Sequence, residues 1–114
     1  MATEVRDGPL DLRTEFMGEM AVIHLAGELD LSNVPSLADA IAEVERNRGV
    51  REIVVDLEKL EFIDSTGIGE LVRSSQRINS GPGAFRVRKA AAAVRRVIEI
   101  TGVDGQLLDG DGAG

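Results

Sequence analysis

The run Ile53-Val54-Val55-Asp56-Leu57 is apolar at the successive positions Ile53, Val54 and Val55 and so lacks the alternation of a strand with one face in solvent. A strand of this kind must be covered, and a central parallel strand is where such runs belong. A second pattern follows it: Ile68, Leu71, Val72, Ser75 and Ile78 stand at offsets 0, 3, 4, 7 and 10. That is one face of a 3.6-residue helix. The chain is therefore committed to a β-strand feeding an α-helix, which points to an α/β fold. Between the two lies Phe62-Ile63-Asp64-Ser65-Thr66-Gly67-Ile68-Gly69. Asp64, Ser65 and Thr66 thus fall at a helix N-terminus, where backbone N–H groups lack partners and the dipole is positive. Such residues cap helices. A hydroxyl there is also a suitable phosphate acceptor, because the helix end favours an added dianion. The residue types alone leave both roles open.

The remaining elements follow from pattern in chain order. Residues 1–9 read as a flexible lead-in. Leu10, Leu12, Thr14 and Phe16 alternate with polar residues, as in a half-buried edge strand. Residues 20–25 form a second strand, apolar except for His24, which reads as structural. Gly27-Glu28-Leu29-Asp30 ends it, and Asp30, Ser32 or Asn33 is placed to cap the next helix. That helix carries Pro35 in its first turn and an apolar stripe at Val34, Leu37, Ala38, Ile41 and Val44, and stops near Gly49. Residues 52–57 are the central strand and 58–61 a connection. The second helix spans 66–79, before the breaker Ser80-Gly81-Pro82-Gly83. Phe85-Arg86-Val87-Arg88 alternates apolar and basic. A third helix buries Val94, Val97, Ile98 and Thr101 and stops at Gly102. Leu107-Leu108 suits a last short strand, and 109–114 a disordered tail. The order β-β-α-β-α-β-α(-β) predicts one domain over residues 10–108. Its sheet is mixed and mostly parallel, with an N-terminal antiparallel hairpin and a cover of helices.

The chemistry-bearing residue types narrow the function. With no cysteine there is no thiolate nucleophile, thiolate metal site or disulfide framework. No carboxylate cluster has calcium-loop spacing, so neither metal nor other cofactor is expected. Net charge is 13 − 20 = −7, which disfavours nucleic acid. The basic island at Arg86–Lys89 with Arg95 and Arg96 lacks aromatic interleaving. It reads as a solvated face or a partner contact. No apolar run reaches the roughly 20 residues of a membrane span, and residues 1–7 are polar, so no membrane partner and a cytoplasmic location are expected. Asp64-Ser65-Thr66-Gly67 has one residue too many for an aspartic-protease Asp-Thr/Ser-Gly and no second copy. Gly67-Ile68-Gly69 lacks the third glycine of a dinucleotide loop. A triad of Ser65, His24 and Asp64 has no reason to assemble, so no enzyme is expected.

Three segments at compatible spacing carry a resemblance: Asp64-Ser65-Thr66-Gly67-Ile68-Gly69 after Phe62-Ile63, Gly27-Glu28-Leu29-Asp30, and Thr101-Gly102-Val103-Asp104. Together they resemble the bacterial anti-sigma factor antagonists, single-domain members of the STAS family (sulfate transporter and anti-sigma factor antagonist). The resemblance covers about residues 12–108 and implies a STAS-like sheet. It also implies a regulator whose unphosphorylated form binds an anti-sigma factor, a GHKL-type serine kinase, and frees the sigma factor. The kinase, using its own ATP and Mg²⁺, phosphorylates Ser65, and a phosphatase resets the switch. Asp30 is then expected near Ser65, and Asp30, Asp64, Thr66, Gly67, Ile68 and Gly69 form the partner surface. Thr66 serves as a cap and second acceptor candidate, and Gly67 and Gly69 admit a partner closely. A monomer or weak dimer is expected. The alternatives are a scaffold STAS module without a switch, and a small-ligand site at the same helix end. Two departures stand out: the chain has no residues for the family's further C-terminal helix, and Arg86 and Arg88 occupy positions where apolar residues are expected.

Overall fold

The computed structural model describes residues 2–103 and Leu107. Five strands form one sheet in the order β1-β2-β3-β4-β5, where β1 is Ala2–Asp7, β2 Leu10–Met17, β3 Met20–Leu29, β4 Glu52–Ile63 and β5 Ala84–Arg88. The pairings β1–β2 and β2–β3 are antiparallel, and β3–β4 and β4–β5 are parallel. Helices α1 (Val34–Glu45), α2 (Ser65–Asn79) and α3 (Ala92–Ile100) fill the connections.

Period-two alternation sends Leu10 and Leu12, Ile23 and Leu25, Val55 and Leu57, and Phe85 and Val87 into one apolar core. All three helices press their stripes into it: Leu37, Ile41 and Val44 from α1, Ile68, Leu71 and Ile78 from α2, and Val94 and Ile98 from α3. The other face of the sheet carries the buried pair Val22 and Val54, surrounded by charged side chains. There His24 Nε2 lies 3.1 Å from Glu15 Oε1 and its Nδ1 3.9 Å from Asp56 Oδ2. Its neighbours are therefore carboxylates of adjacent strands. The basic residues of β5 are answered by carboxylates of β4: Arg88 Nε donates to its register partner Asp56 at Oδ2, 3.0 Å, and Arg86 Nε reaches diagonally to Glu52 Oε2 at 2.7 Å. The apolar residues expected at these positions are unnecessary, because this face of β5 meets carboxylates and no helix stripe.

Four readings of the sequence are corrected. Residues 2–7 are a strand and no loose lead-in, because Gly8 (φ +58) and Pro9 close a tight hairpin onto β2. That pairing places β2 inside the sheet and makes β1 the edge. The connection expected at 58–61 is strand, with register shifts against β3 between His24 and Ala26 and between Gly27 and Glu28. Bulges let the ladder continue where the side-chain pattern breaks. Finally, Leu107 is buried and helical, its amide donating to the Val103 carbonyl at 3.2 Å, so neither a strand there nor the lack of any further helical residue holds. Leu108 and the tail expected at 109–114 lie outside the described residues.

Candidate functional site

β4 ends at Ile63 and α2 begins at Ser65, which leaves Asp64 as the single junction residue. Its backbone is extended (φ −104°), as a helix cap requires. Its Oδ1 accepts from the Gly67 amide at 3.0 Å and from the Thr66 hydroxyl at 2.6 Å. Its Oδ2 accepts from the Leu31 amide at 3.2 Å, and its own amide donates to the Leu29 carbonyl at 3.2 Å. One carboxylate therefore caps α2 and ties down the turn that follows β3. Asp64, not Thr66, is the cap, and the Thr66 hydroxyl is spent on it.

The turn after β3 is built around Asn33, which is fully buried. Its Oδ1 accepts from the Asp30 amide at 2.9 Å, and its Nδ2 donates to the Glu28 carbonyl at 3.0 Å. Asp30 Oδ1 in turn accepts from the Ser32 amide and hydroxyl at 3.0 and 2.6 Å. Asp30 thus precedes a residue bonded to Asp64, which brings the Gly-Glu-Leu-Asp segment to the start of α2 although 33 residues separate Leu31 from Asp64.

Ser65 occupies the first position of α2 and is exposed, and none of the cap hydrogen bonds uses its hydroxyl. Two of the expected surface residues point the other way. Ile68 lies in the core, 4% exposed. Gly67 is also buried, and a Cβ there would meet Ile63 Cγ1 and Leu29 Cδ2, both at 2.9 Å. Its missing side chain serves helix-on-sheet packing inside the molecule. Gly69 is different, since a Cβ there would meet the Arg73 guanidinium at 3.2 Å. Two residues that sequence reasoning passed over flank Asp64. Leu31 is 73% exposed and Phe62 48% exposed. The available signal was a large apolar residue next to polar ones in each segment, Leu31 between Asp30 and Ser32 and Phe62 after Glu61.

Burial alone would raise the Asp64 carboxyl. Hydrogen bonds from the Thr66 hydroxyl and from the amides of Gly67, Leu31 and Thr66 outweigh it and hold the group below the usual carboxylate range. A carboxyl depressed in the fold stabilises it above the unfolded value, about 3.9, and loses that contribution as pH falls through the folded value. Asp64→Ala is accordingly expected to cost about 0.5–2 kcal/mol at neutral pH. In denaturant titrations the gap between the two proteins should narrow below about pH 4. A gap constant down to pH 2 would show that the charge on Asp64 contributes nothing.

Comparison with known proteins agrees with this fold. The family model described as "Mlab, STAS domain" matches residues 12–109. An anti-sigma-B factor antagonist of Staphylococcus aureus is 30% identical over 94 residues, spanning 82% of this chain and 86% of that protein. The anti-sigma factor antagonist SpoIIAA in its unphosphorylated form superposes with a TM-score of 0.72 at 26% identity, over 84% of each chain. The Bacillus cell fate determinant SpoIIAA in the phosphorylated form superposes at 0.66 with 25% identity, over 84% of this chain and 87% of that one.

Proposed function

We propose, from the premise that this chain belongs to the STAS domain family, that it is a bacterial anti-sigma factor antagonist switched by phosphorylation of Ser65. The observation that carries this reading is the state of the Ser65 hydroxyl. It is exposed on the first residue of α2, while its neighbours Asp64 and Thr66 are bonded to each other. That arrangement favours Ser65 over Thr66 as the acceptor. Asp30, Asp64 and Gly69, together with Leu31 and Phe62, form the surface that meets the partner. The partner is an anti-sigma factor with its own serine kinase activity, and a separate phosphatase resets the protein.

The chemistry of the switch is then electrostatic. A phosphoserine adds roughly −1.5 to −2 charges. Free amides and the dipole at the start of α2 offset part of that charge within the fold. Asp30 and Asp64 add to it at the surface. The protein itself performs no bond-making step; it presents a hydroxyl and a docking face. Among the described residues no helix is long and apolar enough to cross a membrane. We place the protein with its partners in the cytoplasm.

The test is incubation with ATP, Mg²⁺ and each candidate anti-sigma kinase, followed by intact-mass and peptide mass spectrometry. One phosphate is expected, on Ser65, and Ser65→Ala should take none. Phosphate on Thr66 would reassign the acceptor. A folded protein left unmodified by every such kinase would move the assignment to a STAS scaffold module without a switch.

A further inference from the structure

We infer that two copies of this chain associate through β1, edge to edge and antiparallel, with Val5 of one copy facing Val5 of the other. β1 pairs only with β2 and is the outermost strand of the sheet. An edge strand offers a row of unpaired N–H and C=O groups and is ordinarily protected against pairing. The opposite edge, β5, has that protection, because Arg86 and Arg88 would bring like charges together if two copies met there. β1 carries both signs, Glu4 and Asp7 against Arg6, with Val5 between Glu4 and Arg6, and Arg6 Nε also donates to Asp11 Oδ1 at 2.6 Å.

The register follows from the hairpin. Asp7 and Leu10 flank the two-residue turn and close it as a hydrogen-bonded pair. Alternate residues of a strand turn their backbone groups toward and away from the neighbour. Counting back from Asp7, Val5 faces β2, and the backbone groups of Glu4 and Arg6 point outward. An antiparallel partner centred on Val5 therefore places Glu4 of each copy opposite Arg6 of the other, as a hydrogen-bonded pair. The neighbouring registers oppose Glu4 to Glu4 or Arg6 to Arg6, and charge disfavours both. In the favoured register the two Val5 side chains form a close, non-hydrogen-bonded pair. Val5 is available for this contact, being 48% exposed at the rim of a cleft of about 180 Å³ between β1, β2 and α1.

The interface is isologous and closes on itself, so association stops at two copies. It joins the five strands of each copy into one sheet. β1 is separated from β4, which leads into Ser65, by β2 and β3, so the dimer leaves each Ser65 to its own partner. Six residues of edge make a small interface, which sets the association in the weak, concentration-dependent class.

Sedimentation equilibrium of the full chain over a wide concentration range tests this. The mass should rise from 12.2 kDa toward twice that value. Glu4→Arg opposes two cation pairs and should weaken association about tenfold. Adding Arg6→Glu restores opposite charges across the axis and should recover it. Arg6→Pro removes an outward N–H while sparing the bonds to β2; with circular dichroism unchanged, it should leave a monomer. A wild-type chain that stays monomeric throughout overturns the inference, as does a Glu4→Arg variant that associates like the wild type. Failure of the double variant to recover association would assign it to another surface.

Discussion

Phosphorylation of Ser65 is expected to weaken binding of the anti-sigma partner by about 30- to 150-fold, or about 2–3 kcal/mol, the usual scale of coupling between a modification and a binding site. It is expected to leave the melting temperature almost unchanged. Both halves follow from the junction. The Ser65 side chain is exposed, so a phosphate there displaces no packed group and breaks none of the bonds around Asp64. The helix end that receives it already favours an anion. The cost falls on the partner, whose surface must meet a dianion beside the carboxylates of Asp30 and Asp64 and the exposed side chains of Leu31 and Phe62. Desolvating that charge against apolar contacts is unfavourable unless a cation pairs with it. Titration calorimetry with the anti-sigma partner separates the cases. Ser65→Ala should bind tightly and resist switching, while Ser65→Asp and Ser65→Glu should bind poorly. Tight binding by the acidic variants would remove charge as the cause. A fall of 10 °C or more in the melting temperature of the phosphorylated protein would mean that the switch acts by unfolding.

Gly27→Ala is expected to be the most destabilising conservative change in the chain, lowering the melting temperature by more than about 10 °C. Gly27 has φ +95°, where side chains are strained. A Cβ there would lie 2.0 Å from the Pro9 carbonyl oxygen. That oxygen is backbone and already accepts from the Glu28 amide at 3.1 Å, so it cannot rotate aside. The β1–β2 turn would have to shift away from β3. Strain of about 1–3 kcal/mol and a displaced hairpin of similar cost sum to about 2–6 kcal/mol. Each kcal/mol moves the midpoint of a domain this size by about 4–8 °C. Gly18→Ala is the control. It shares the positive φ, at +63°, but has nothing within 4 Å of the added carbon. Thermal melts of the two variants within a few degrees of each other would show that the contact with Pro9 does not matter.

These two glycines show where sequence reading works and where it stops. Gly18 is legible as a turn glycine, because it separates an alternating run from an apolar one. Gly27 is legible only as part of a motif; its physical reason is the approach of Pro9, eighteen residues upstream at the start of the neighbouring strand. The same division holds at the site. Strand-to-helix handover at Asp64 and Ser65 was readable from periodicity alone. That Asp64 makes the cap bonds while Thr66 feeds them, and that Gly67 and Ile68 face inward, required knowing how α2 lies on β4.

Local pattern determined what repeats within one element. The covered strand through Ile53, Val54 and Val55, the stripes of the three helices and the breaks at Ser80–Gly83 and Gly102 all follow from burying one face of a helix or strand, and that preference is written every two or every three to four residues. Tertiary structure decided what depends on a partner strand. β1 has one described apolar residue facing the helices, Val5, and is a strand because β2 supplies its hydrogen bonds. The polar stretch at 58–61 is strand because bulges keep it on β3. Arg86 and Arg88 sit quietly in a strand because Glu52 and Asp56 lie beside them. Backbone hydrogen bonds and ion pairs between strands depend on register, and register belongs to the assembled sheet. No stretch of the chain contains it.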